Sequence, residues 1–204
     1  MPVATTPTTR LPRSRRVGFT RPELEAFRDA TVDDLVGPDP RLVFVGINPG
    51  LWTAATNTHF AHPANRFYPA LLEAGIIFRE IDRSTGFDAD DRRHLIDRGI
   101  AITNLVMRAT VRASELSRDE LRSGGLAVRE KIRKWAPRVV AFAGITAYRQ
   151  AYRVASAVAG RQPGSWGDTE VWVVPNPSGL NAHETIGSLA DAYREAGRAA
   201  GLVP

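Results

Sequence analysis

Short apolar runs alternate with amphipathic stretches along this chain, and the strand-like run recurs four times. Arg41–Ile47 (RLVFVGI) is too short and too β-branched for a helix and predicts a buried strand. Gly99–Thr103 (GIAIT), Val139–Ala143 (VVAFA) and Glu170–Val174 (EVWVV) repeat that signature. Elsewhere the apolar spacing turns helical. It does so over Arg66–Ala74, ending at Gly75; over Asp88–Asp97; from Ser117 to about Trp135, where Pro137 stops it; from the third strand to about Val158; and over Glu184–Ala200. Ser117 with Glu120 reads as a capping box, and Thr20 as the cap of a short helix with Pro22 and Glu23 in its first turn. Gly124 and Gly125 sit inside a predicted helix against their propensity. The alternation predicts an α/β fold in three layers, α/β/α, around a central four-stranded, mainly parallel sheet.

The 204 residues suit one domain with a substantial core, and 43% hydrophobic residues is an ordinary share for one. Residues 1–19 differ: three prolines, no aromatic before Phe19, and Arg10, Arg13, Arg15 and Arg16 close together predict a disordered basic arm ahead of a domain over 20–204. No apolar run approaches the roughly 20 residues that span a bilayer, and the N-terminus has no apolar secretory core. The expectation is a cytoplasmic monomer with no membrane partner. The absence of cysteine excludes disulfides, thiolate nucleophiles and cysteine-ligated iron–sulfur or zinc sites. His59, His62, His94 and His183 follow no metal-binding spacing, so neither a metal nor another cofactor is expected. The net charge of +5, carried almost wholly by arginine, permits a nucleic-acid partner without requiring one.

In a parallel sheet flanked by helices, ligands bind beyond the carboxyl ends of the strands. Three predicted strands run straight into an asparagine there: Asn48 in GINPG, Asn104 in ITNL and Asn176 in NPSGL. An amide offers a donor and an acceptor side by side, which suits a nucleobase edge or a positioned water. Any one of them can equally make an Asx turn beside Pro or Gly. The GINPG turn, with Gly46 and Gly50 around Asn48-Pro49, can bring backbone N–H groups close to a ligand, but it lacks the lysine of a phosphate-binding P-loop.

Taken in order, GINPGL, FAHPANRF (Phe60–Phe67), GGLAVREKI and VWVVPNPSGL resemble the mismatch-specific uracil and thymine DNA glycosylases of the uracil-DNA glycosylase superfamily, from about Val32 to the C-terminus. The resemblance implies that family's fold and an enzyme that hydrolyses the N-glycosidic bond of uracil, or thymine, mispaired with guanine in double-stranded DNA. By the same resemblance Asn48 positions the attacking water, Phe60 stacks on the flipped base, and backbone at Ile47 and Phe60 reads its edge. Leu180 is implied as the wedge that fills the vacated stack, with Gly179 pairing the widowed guanine. Asn181 and His59 join as candidates at the wedge and beside the base. Asn176, Ser178, Gly46, Pro49 and Gly50 are secondary candidates within the same motifs. Asn104 resembles the thymine-excising relatives, and Met107 replaces an acidic residue of that segment. The arginine expected after the wedge is absent from Asn181-Ala182-His183.

Such chemistry is consistent with a site poor in carboxylates. Glycosidic cleavage passes through an oxocarbenium-like state, and the leaving uracil and the DNA phosphates carry negative charge of their own. A module that binds mispairs or abasic sites without cutting is the alternative from another class. Asn48 speaks against it, since binding alone does not require that residue.

Overall fold

The protein is described by a computed structural model covering residues 18–83 and 85–204. The arginines of the sequence-predicted arm lie outside the described residues. Phe19, at its end, packs edge-on against Trp52 with ring centroids 5.0 Å apart.

A five-stranded sheet forms the centre: β1 (Leu42–Gly46), β2 (Ile100–Asn104), β3 (Val139–Ala143), β4 (Gly160–Trp166) and β5 (Thr169–Val174), in the order β2-β1-β3-β5-β4. β1, β2, β3 and β5 are parallel, and β4 runs antiparallel to β5. The helices are α1 (Arg21–Glu25), α2 (Leu51–Thr56), α3 (Phe67–Glu73), α4 (Ala89–Asp97), α5 (Arg118–Trp135), α6 (Ile145–Tyr152) and α7 (Ile186–Ala199). Alternation within β1 shows why both faces are covered. Leu42 and Phe44 enter one core with α3, α4 and α7, whereas Val43 and Val45 enter the other with α5 and α6. None of the described helices is long and apolar enough to cross a membrane.

The predicted caps form as the sequence implies. Thr20 with Glu23 and Ser117 with Glu120 complete reciprocal capping boxes at α1 and α5. Asp88 and Asp91 do the same at α4, where Asp91 is buried and paired with Arg79 at 2.5 Å.

Three differences from the sequence expectation have physical causes. The sheet has five strands rather than four because β4 (GRQPGSW) carries no apolar alternation. It is an edge strand with Pro163, a register shift between Arg161 and Ser165, and a Gly167-Asp168 hairpin turn to β5. The helix after β3 ends at Tyr152 rather than near Val158. Arg153 turns left-handed (φ 56°), and the Arg149 guanidinium donates back to the carbonyl of Ala157. Finally, α2 carries little amphipathic pattern, being a six-residue helix opened by Gly50 directly after GINPG.

Candidate active site

The sheet register sets the site. Gly46 pairs with Asn104 across β1 and β2, so both strands stop at one level. Beyond the rim the two chains stay joined: Leu105 N–H donates to the Gly46 carbonyl, Val106 N–H to that of Ile47 (2.9 Å each), and Thr110 N–H to that of Pro49 (3.1 Å). This brings Thr110 beside the GINPG turn.

Asn48, half-buried, spends its amide NH2 group here. Nδ2 donates to Thr110 Oγ1 at 2.7 Å and lies 3.1 Å from the carbonyls of both Pro49 and Arg108. The Thr110 hydroxyl donates its own proton to the Arg112 carbonyl, which leaves its oxygen as the acceptor for Asn48. Among the described residues no donor engages Asn48 Oδ1. The side chain is thus fixed in one orientation with a single acceptor to spare. Sequence reading passed over Thr110, whose role appears only once the 104–110 segment is seen to run alongside 46–50.

Phe60 lies next to this turn. Its ring stacks on Phe67 with centroids 4.0 Å apart, and its backbone is left-handed (φ 54°), a conformation that costs a non-glycine residue and tends to persist where geometry demands it. Its N–H has no partner among the described residues. Gly46 explains the close fit: a Cβ there would lie 2.4 Å from Asn104 Oδ1 and 3.4 Å from Phe60 Cζ.

Asn104 is buried, and its Nδ2 lies 3.4 Å from Nδ1 of His59. His59 is only 2% exposed, and its Nε2 donates to the Asp33 carbonyl at 2.9 Å. Nδ1 is therefore a bare acceptor facing the Asn104 amide. Burial pushes the His59 pKa down to about 4, so the ring stays neutral and orients Asn104 instead of exchanging protons. One strand position earlier, the Thr103 hydroxyl donates to Asp34, which pairs with Lys131 of α5 at 2.7 Å. Lys131, one of only two lysines in the chain, was not singled out by the sequence; it braces β2 from behind.

The third predicted asparagine has a different part. Asn176 Oδ1 accepts the N–H of Ser178 at 3.0 Å, an Asx turn. Ser178 Oγ accepts the Leu180 N–H, Asn181 Nδ2 donates to the Asn176 carbonyl, and Asn181 Oδ1 accepts the His183 N–H. The polar groups of Asn176, Ser178 and Asn181 are thus turned inward to shape the loop. At its tip Leu180 is 89% exposed, and the Gly179 N–H has no partner among the described residues. A Cβ on Gly179 would come within 2.7 Å of the Ala64 carbonyl oxygen, so this loop rests directly on the turn of FAHPANRF. Between it and α6 opens a cleft of about 290 Å³, lined in part by Ile47, Gly144, Thr146, Asn176 and Asn181.

Other side chains around these motifs have structural partners. Trp52 packs between Phe19 and His62. His62 Nδ1 accepts the Ala64 N–H, and Asn65 Oδ1 accepts the N–H of Phe67 at the start of α3. Arg66 of FAHPANRF points its guanidinium at backbone carbonyls of the 178–184 loop. Among the described residues no three His, Asp or Glu side chains gather as a metal site.

Two comparisons bear on this arrangement. A solution NMR structure from Methanosarcina acetivorans, which carries the provisional name uracil DNA glycosylase, has the same fold. The TM-score is 0.56 at 15% identity, over 82% of this chain and 96% of that one. The sequence profile of the uracil DNA glycosylase superfamily, whose members are hydrolases acting on DNA, matches residues 34–196. That span contains every candidate from Gly46 to Asn181, and the chain belongs to the uracil DNA glycosylase superfamily.

Proposed function

We propose that the chain is a monofunctional, mismatch-specific glycosylase that excises uracil paired with guanine in double-stranded DNA. The observation that carries this reading is the pinned Asn48 amide, whose Oδ1 is left as a lone acceptor in the turn that the Phe60 ring approaches at Gly46.

An amide is no base, so Asn48 orients a water rather than deprotonating it. The bond from sugar C1′ to N1 of the base breaks first in the transition state, with the electron pair leaving on the base. The water held by Oδ1 then adds to the electron-poor C1′, and the proton it loses to solvent is balanced by one taken up by the departed uracil anion, leaving an abasic site and free uracil. Uracil suits such a site because it carries the departing charge well, and the unpartnered N–H of Phe60 is the donor proposed to meet that charge. Leu180 enters the stack as the base leaves, and the Gly179 N–H is free to meet the widowed guanine. A G·U mispair costs least to open, so selection begins before chemistry.

The test is excision from duplexes holding G·U, G·T or A·U and from single-stranded uracil, with alkali revealing abasic sites. The reading expects G·U to be cut first and A·U far more slowly. Cleavage of G·T at a comparable rate would make thymine a true substrate, in keeping with Asn104. Tight duplex binding with no cleavage of any substrate would replace the enzyme by a mispair-binding module.

A further inference from the structure

We infer that Arg66 is a positioning residue for the wedge: its guanidinium clamps the 178–184 loop in the shape that presents Leu180. The inference rests on the wedge role proposed above. Arg66 Nη2 donates to the carbonyls of Ser178 and Asn181, both at 2.7 Å, and Nη1 donates to that of Glu184. Its backbone N–H donates to the Pro177 carbonyl at 3.0 Å. One residue thus holds both ends and the middle of the loop whose tip is the 89% exposed Leu180.

The platform beneath is held in a similar way. Arg83 Nη2 donates to the carbonyls of Pro63 (2.9 Å) and Asn65 (3.0 Å), fixing the turn on which Gly179 rests. The Nε–H groups of Arg66 and Arg83 are both buried, with no hydrogen-bond partner among the described residues. Among the described residues no carboxylate lies within ion-pair distance of Arg66. A half-buried guanidinium whose fork is spent on carbonyls does not reach out to phosphate; it organises backbone.

An apolar wedge acts only if it is rigid when the base leaves, since a loop that must be ordered at that moment pays its entropy out of the flipping equilibrium. Lysine at this position would keep the charge and lose the planar fork that reaches three carbonyls.

The test compares full-length wild type, Arg66→Lys, Arg66→Met and Leu180→Ala. Hydrogen–deuterium exchange of amides 178–184 reads the clamp directly and needs no activity. Losing charge-assisted bonds to carbonyls is expected to speed that exchange about tenfold in Arg66→Lys and further in Arg66→Met. In single-turnover excision, Arg66→Lys is expected to lose about tenfold on a G·U duplex but less than about twofold on uracil opposite an abasic-site analogue, where no partner base resists flipping. Leu180→Ala should show the same substrate pattern, and the double variant should be no slower than the worse single one. Unchanged exchange at 178–184 in Arg66→Lys overturns the clamp, as does equal loss on both duplexes. Should Arg66→Met fail to fold, Arg66→Lys carries the comparison. Wild-type exchange at 178–184 as fast as an unstructured peptide refutes the clamp directly. A wild type that excises nothing refutes the glycosylase reading, while exchange still decides the clamp.

Discussion

Asn48 shows how much of a site can depend on what holds a side chain. The sequence marked the residue, but not the three acceptors that fix its NH2 group and so free only Oδ1. Thr110 is the nearest of them, and it comes from a segment 62 positions away that no local pattern ties to GINPG. Replacing it with valine keeps the shape and removes that acceptor. Thr110→Val is expected to lower kcat roughly tenfold with KM within about twofold, the signature of an interaction that orients the reacting water rather than the substrate. An unchanged kcat would mean that Asn48 needs no such anchor. His59 carries a similar lesson: its place before Phe60 suggested contact with the base, whereas burial and the Asp33 carbonyl turn it toward Asn104.

At the scale of elements, the strands with apolar character on both faces were legible because a buried parallel strand has no polar side to blur it. β4 was not, since an edge strand needs only one partner and little apolar surface. The Gly124-Gly125 pair looked like a flaw in α5 and is its closest packing. A Cβ on Gly124 would lie 2.0 Å from the Leu105 carbonyl oxygen, and one on Gly125 would lie 3.2 Å from the Tyr152 ring. The helix therefore lies against the chain leaving β2, the same chain that brings Thr110 to Asn48. In an open helix Gly→Ala gains up to about 1 kcal/mol. Gly124→Ala is expected instead to cost roughly 2–4 kcal/mol in urea unfolding, because Leu105 offers backbone rather than a yielding side chain. A variant as stable as wild type would show that α5 can stand off from β2 without penalty.

Across the whole molecule, motifs remote in sequence converge through one sheet edge. GINPG and the 104–110 segment build the Asn48 side, FAHPANRF supplies Phe60 and the platform, and NPSGL rises from that platform with Leu180 at its tip. The order of the motifs pointed to the mismatch-specific glycosylases of the uracil DNA glycosylase superfamily, and the match over 34–196 bears out the superfamily. The convergence itself follows from the parallel register, which ends β1 and β2 at one level. The net charge of +5 permits a nucleic-acid partner, and the proposed chemistry rests on the neutral groups at that edge. The most direct measurement of this account is single-turnover excision of uracil from a G·U duplex by wild type and Asn48→Ala, with duplex binding measured alongside. The account predicts a loss of at least about a hundredfold in rate with affinity within about threefold, as for removal of a positioned group that acts chiefly in the transition state. Excision by Asn48→Ala at the wild-type rate would contradict it.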